Sequence, residues 1–380
     1  MTTTLADARV VTPEGVHDGW LTIEDGRITH VGRGAAPGPG HGLGGRYVVP
    51  GFVDIHNHGG AGGSFPTGDP DEAGRIAAMH ARHGTTTLVA SLVTATLDSL
   101  SRATSALADL CEDGVLAGIH FEGPYISKAR CGAHDPALLR EPSVPEFTGL
   151  LKAGRGHVRM ITIAAELPGA LDTIREAAAN DVIAALGHSD AGYEQTIAGI
   201  EAGARVATHL YNAMPQLGHR DPGPIAALLE DGRVTVELVN DGVHVHPAML
   251  RLAYRAAGPG RTALITDAMA AAGVGDGSYG LGPLRVDVVD GVARLADGPG
   301  AGSIAGSTLT MDAAFRRAVH ELGLSLPEAA EVTSLTPARV LGLADRLGSV
   351  STGRQADLVV LTEDLRVAGV MRRGAWITEP

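Results

Sequence analysis

Residues 48–56 read Val-Val-Pro-Gly-Phe-Val-Asp-Ile-His, a short apolar run that ends on His56, with a second histidine two places on at His58. A run of this length, opened by Pro-Gly and rich in β-branched and aromatic residues, predicts a strand buried on both faces. Seven more runs of the same kind follow: TTTLVASLV (85–93), GVLAGIHFE (114–122), HVRMITIAA (157–165), DVIAALGH (181–188), ARVATHL (204–210), RVTVELV (233–239) and TALITD (262–267). Stretches with helical periodicity lie between them, among them 69–84, 97–111, 169–180 and 192–203. Apolar strands alternating with helices predict an α/β fold with a parallel sheet, and eight such units close into a (β/α)8 TIM-like barrel over residues 51–345. An open doubly wound sheet is the other arrangement, but the Gly-rich dinucleotide fingerprint after the first strand is absent.

Outward from the barrel, residues 5–49 and 353–377 share a different texture of short alternating strands broken by Gly, Pro and Asp. Together they predict a small β-sandwich domain built from both termini, residues 1–50 plus 346–380, with 33–45 (RGAAPGPGHGLGG) as a loop by composition. Of 380 residues, 44% are hydrophobic and 19% charged, an ordinary globular balance. Aromatics are scarce, so the core falls to Ala, Val, Leu and Ile. A formal charge of −13 argues against nucleic acid and anionic membrane surfaces as partners. Cys111 and Cys131 cannot make a disulfide framework, the N-terminal stretch MTTTLADARVV lacks the pattern of a signal peptide, and no run approaches the length of a membrane helix. The cytoplasm is the expected location.

Residues just past the carboxyl ends of barrel strands share one mouth. His56 and His58 fall there from the first strand, Glu122 from the third, His188 from the fifth, His209 from the sixth and Asp267 from the eighth. Alternate residues of a strand face the same way, so the His-x-His pair points inward. Four imidazoles and two carboxylates crowded together are costly as bare side chains, whereas a divalent cation takes neutral histidine and ionised carboxylate as ligands. The set therefore predicts a metal centre.

The stretches PGFVDIHNHGG, HFEGPYIS, GAHDP, GHSDA, THLYNAMP, DGVHVHP, LITDAM and AGSTLTMDAA carry a resemblance. By them the chain is similar to the amidohydrolase superfamily, and within it to the N-acetylglucosamine-6-phosphate deacetylases, over nearly its full length. The resemblance implies one or two ions: Glu122, His188 and His209 bind a primary metal, and where a second is held, His56 and His58 hold it, with Glu122 bridging. Zinc is the expected ion, with Fe2+, Co2+ and Mn2+ also suited to such ligands. It implies hydrolysis of the acetamide of a phosphorylated amino sugar, with Asp267 taking a proton from the attacking water and passing it to the leaving amine. Arg220 becomes a phosphate ligand that reaches a neighbouring subunit's site, so a homodimer or dimer of dimers is expected. Asn212, Ala213 and His244 become substrate contacts, as do Ala133 with His134 and the stretch Ile304-Ala305-Gly306.

Cyclic-amide hydrolases of the same superfamily place a lysine at the end of strand four, and none stands there. A deacetylase for an unphosphorylated or epimeric amino sugar is the nearer alternative. A non-catalytic scaffold would not need the intact ligand set. Cys131, on a loop near the mouth, is either an incidental small side chain or a thiol that tunes the loop or responds to oxidants. His80 and His83 face each other on a helix without a third ligand, and His120 shares the face of Glu122.

Overall fold

In the computed structural model, residues 2–298 and 300–380 are described. The eight predicted strands are all present. We label them β1 (Phe52–Asp54), β2 (Thr85–Val93), β3 (Gly118–Glu122), β4 (Val158–Ile163), β5 (Ile183–Leu186), β6 (Val206–Ala207), β7 (Thr235–Val239) and β8 (Thr262–Ile265). They lie in one sheet in sequential order from β1 to β8, and their pairings are parallel, as between Met160 and Ile183 or Leu238 and Leu264. Every residue of β2 and β3 is buried, which is why these segments read as unbroken runs rather than alternating ones. Just past the strands the two ends of the sheet meet: the Asp267 N–H donates to the His56 carbonyl at 3.0 Å, and Asn57 bridges Ala268 in parallel register. This is a TIM-like barrel.

Helices follow the strands as the sequence predicts, at Pro70–Arg82, Leu97–Glu112, Ala170–Ala179 and Tyr193–Ala202. Local chemistry sets their starts. Asp69 accepts the Asp71 and Glu72 N–H groups at 2.9 Å, and Thr96 accepts from Ser99 N–H, each satisfying donors that a helix start leaves open. Asp71 and Glu72 at one end of the first helix, and His80 and Arg82 at the other, suit its dipole.

By contact density the chain divides into two units, Met1–Asp54 with Ala78–Thr87 and Thr310–Pro380, and Ile55–Ala77 with Leu88–Leu309. The first contains a seven-stranded mixed sheet drawn from both termini. Its order is Ala375–Thr378, Val367–Arg372, Leu358–Leu361, His41–Pro50, Thr2–Thr12, Gly15–Glu24 and Arg27–Arg33. Leu5, Val10, Leu21, Ile28, Leu43, Val48, Leu358, Val360 and Met371 form its buried core. The predicted loop over 33–45 is shorter than its composition implies, because the strand begins at His41. Gly44 and Gly45 both hold positive φ, at 62° and 73°, and the pairing with Thr2–Thr12 shifts register there. They form a bulge inside a strand, a geometry that glycine permits and composition alone reads as a turn.

The second unit also contains a three-stranded antiparallel sheet (Gly277–Leu281, Leu284–Val289 and Val292–Leu295) outside the eight expected strands. Its inner residues Leu281, Val286 and Val288 pack on Val93, Met269 and Ala305. No helix among the described residues is long and apolar enough to cross a membrane.

Candidate active site

Six side chains were expected at the barrel mouth, and the folded chain brings all six together. Glu122, at the end of β3, lies at the centre. Its Oε1 is 2.9 Å from His209 Nε2, 3.1 Å from His188 Nε2 and 3.5 Å from His56 Nε2. Its Oε2 is 3.2 Å from His58 Nε2. Asp267 Oδ1 stands 3.3 Å from His58 Nε2 and 3.7 Å from His56 Nε2. All six residues are buried.

Backbone geometry shows how tightly this arrangement is imposed. His188, His209 and Asp267 hold φ of 47°, 26° and 50°, left-handed values that cost a residue with a Cβ on the order of 1–3 kcal/mol each. Tyr211 and Ala213, in the loop after β6, do the same at 80° and 52°. Strain gathered at strand ends is expected where side-chain direction matters more than local comfort. Gly132 adds a close approach: with φ at 57°, a Cβ there would meet His188 Cε1 at 3.2 Å.

Acceptors behind the rings fix which nitrogen faces the centre. His188 Nδ1–H donates to the Arg130 carbonyl at 2.8 Å, and His58 Nδ1–H to the Ser91 carbonyl at 3.2 Å. His56 Nδ1–H donates to Glu237 Oε2 at 3.1 Å. When the ring is neutral, Nε2 is then left as a lone pair turned inward. Two Nε2 atoms so placed, of His56 and His58, face one another at 3.1 Å, and His188 Nε2 stands 3.1 Å from that of His209, whose Nδ1 has no hydrogen-bond partner among the described residues. Bare lone pairs repel at that distance. Around an ion with bonds of about 2.0–2.1 Å, however, neighbouring ligand atoms of a tetrahedron stand about 3.3 Å apart. The donor set and its spacing therefore fit a divalent metal, with two overlapping triads, His56–His58–Glu122 and Glu122–His134–His188.

Electrostatics agree with that fit. Burial opposes charge on His56 and His58, yet Glu237, Glu122 and Asp267 outweigh it, raising His56 well above its usual range and His58 to about 9. Without metal, the carboxylates draw protons onto these two rings. Burial would likewise raise Glu122 and Asp267, but the surrounding histidines hold both well below the usual carboxylate range. His134 goes the other way, since burial pushes it down to about 4 and leaves it neutral.

A cavity of about 350 Å³ opens over the cluster, with His58, Glu122, His188, His209 and Asp267 at its base. Ala133, His134, Asn212, Ala213, His244, Ile304 and Gly306 also line it. Ala305 does not line it and is buried between its two lining neighbours. His134 stands deeper than a wall residue, its Nε2 3.3 Å from Glu122 Oε2. Arg220 is exposed and does not line this cavity within the chain. Cys131 is half-buried, and burial pushes its thiol up, so the loop carries no enriched thiolate.

Several contributors went unread in the sequence. Arg130 lines the cavity, held by Asp190 at 2.8 Å, and brings a guanidinium to its wall. Asp241 accepts His244 Nδ1–H at 2.6 Å and turns Nε2 towards Asp267 Oδ2, 3.5 Å away. Burial would depress His244, but Asp241 and Asp267 raise it. His120, by contrast, was placed on the face of Glu122 by the sequence; it is wholly buried behind the cluster, bonded to Ser91 and Thr162 at 2.9 Å and pushed well down by burial. Glu237 lies in the middle of β7 and has no exposure. A carboxylate inside a buried strand needs a partner, and that was the signal available for it.

The whole chain has known counterparts. Residues 47–377 match the family model described as the amidohydrolase family. The crystal structure of N-acetyl-D-glucosamine-6-phosphate deacetylase from Mycobacterium smegmatis is 49% identical, with a TM-score of 0.95 over 99% of this chain and 100% of that one. An aspartate-to-alanine variant of the M. smegmatis enzyme, solved in complex with N-acetyl-D-glucosamine-6-phosphate, superposes equally well, with a TM-score of 0.95. The N-acetylgalactosamine-6-phosphate deacetylase of Escherichia coli O157:H7 is 38% identical over 98% of this chain and 99% of that protein. The N-acetylglucosamine-6-phosphate deacetylase of Bacillus subtilis is 34% identical over 97% of this chain.

Proposed function

This chain belongs to the amidohydrolase family, and from that premise we propose that it hydrolyses the acetamide of N-acetyl-D-glucosamine 6-phosphate to D-glucosamine 6-phosphate and acetate. The observation that carries the reading is Glu122, whose two oxygens stand within 3.5 Å of five imidazole nitrogens, those of His56, His58, His134, His188 and His209, beneath a sugar-sized cavity. Glu122, His188 and His209 would hold one divalent ion, and His56 and His58, sharing Glu122, a second. Zinc suits this nitrogen and oxygen set. When bound, such an ion supplies Lewis acidity, making water nucleophilic near neutral pH and drawing electron density from a carbonyl.

The chain's own groups handle protons and position. Asp267 is held ionised and so can accept the water proton, then deliver it to the departing nitrogen, which leaves poorly as an anion. His244 has its Nδ1–H tied to Asp241, and Nε2 faces the cavity beside Asp267, where it can donate to the acetamide oxygen. Asn212 and the backbone at Ala213 face the sugar, and so do Ala133, His134 and the segment Ile304-Ala305-Gly306. Arg130 offers a guanidinium to the phosphate from within the chain. Arg220 is too exposed to serve its own cavity and would act in that of a second copy, in a homodimer. The division into a terminal β domain (1–50 plus 346–380) and a catalytic barrel (51–345), working in the cytoplasm, completes the proposal.

A second reading has its own support: the E. coli relative acts, by its name, on the galactose epimer. Acetate release from N-acetylglucosamine 6-phosphate, N-acetylgalactosamine 6-phosphate and unphosphorylated N-acetylglucosamine separates the cases. The first should give the highest kcat/KM. A higher value on the second makes the chain an epimer-specific deacetylase, and equal values with and without phosphate defeat the phosphate assignment.

A further inference from the structure

Beneath the cluster stands a group whose charge the proposed reaction does not use. Glu237 has no exposure and sits at the centre of β7, where its neighbours in the strand are apolar. Its Oε2 accepts His56 Nδ1–H at 3.1 Å and the backbone N–H of His209 at 3.2 Å. Its Oε1 is buried and has no hydrogen-bond partner among the described residues. An ionised carboxylate in such a place is expensive unless positive charge lies within reach.

We propose that Glu237 is a positioning residue for the ion position formed by His56, His58 and Glu122, and that it sets whether that position fills. Two effects act together. The hydrogen bond fixes His56 in the tautomer that turns its Nε2 lone pair inward, and a carboxylate acceptor makes that ring a stronger donor to metal.

The inference rests on the reading of this cluster as a divalent-metal site, and the test keeps the two apart. The full chain is stripped by chelation and dialysed against graded free Zn2+, and bound zinc per chain is counted for the wild type, Glu237→Gln and Glu237→Leu. The wild type should bind two ions. Both variants should keep the first within threefold and lose 10–100-fold in affinity for the second. Their melting temperatures without metal should stay near that of the wild type, while the rise on adding zinc shrinks. A purely structural Glu237 would lower melting with and without zinc alike. Saturation of the wild type at one ion, or two ions at unchanged affinity in both variants, overturns the proposal. Should both variants fail to fold, nitrogen-15 spectra of the zinc-loaded wild type decide it: His56 protonated on Nδ1 supports the role, and His56 protonated on Nε2 refutes it. Two bound ions with no acetate released would sink the proposed function and leave this inference standing.

Discussion

Asp267 is packed among imidazoles, and its chemistry follows from that company. Held below the usual carboxylate range by His58, His56 and His244 against the pull of burial, it is a base at any physiological pH. Asp267→Asn removes the proton acceptor and keeps the shape. We predict a loss in kcat of about 10²–10⁴-fold with zinc content unchanged, read by steady-state assay beside metal analysis; a matching loss of zinc would make Asp267 a ligand instead. A second prediction concerns His58, raised to about 9 in the metal-free protein. Below that pH the ring carries a proton that an incoming ion must displace. Zinc affinity at the His56–His58 position should therefore rise about tenfold per pH unit for each protonated ring between pH 6 and 8, with proton release visible by calorimetry in buffers of different ionisation enthalpy. A pH-independent affinity would mean the rings are already neutral. At this scale the sequence was legible where chemistry sits on strand ends. His56, His58, Glu122, His188, His209 and Asp267 could be found by looking there. Glu237 could not, because it lies mid-strand inside RVTVELV, where an isolated polar letter reads as noise in an apolar run.

Elements show the same contrast between buried regularity and local exception. The barrel strands were readable because parallel strands covered on both faces are continuously apolar. The hairpin strands Gly277–Leu281 to Val292–Leu295 were not, since much of this sheet is exposed and its residues include Gly, Asp and Arg at positions facing out. The helix Met311–His320 offers an element-scale test. Asp312 in its first turn is nearly buried and accepts from His83 Nδ1–H at 3.1 Å, Thr310 Oγ1–H at 2.6 Å and Arg316 at 2.6 Å. Burial raises its carboxyl, but these partners outweigh that and hold it well below its ordinary value. Since the folded value is the lower one, the stabilisation is present above the ordinary aspartate range and is lost as pH falls through the folded value. Asp312→Asn should cost on the order of 2–3 kcal/mol at pH 7, seen as a lower melting temperature. The gap from the wild type should narrow below about pH 4. A gap that holds constant with pH would assign the effect to packing.

Across the whole molecule, the motifs quoted from the sequence belong to a likeness that holds over the full chain, at 49% identity to a solved deacetylase. Whether Arg220 serves the cavity of a second copy was not legible in one chain, because an assembly leaves no pattern in the order of residues. The terminal sheet carries a prediction of its own. Leu358, Val359, Val360 and Leu361 have no exposure and lie between Val367–Arg372 and His41–Pro50. A chain cut after residue 345 leaves His41–Pro50 without that neighbour and should not accumulate as folded protein, checked by cooperative melting; a cooperative transition near that of the full chain would contradict it. The most direct test of the account is anomalous diffraction at the zinc edge from crystals of the zinc-loaded protein. The account predicts a strong peak within about 2.0–2.2 Å of Glu122, His188 and His209, and a second peak bounded by His56, His58 and Glu122. Zinc bound only at surface sites, with the Glu122 cluster empty, would contradict it.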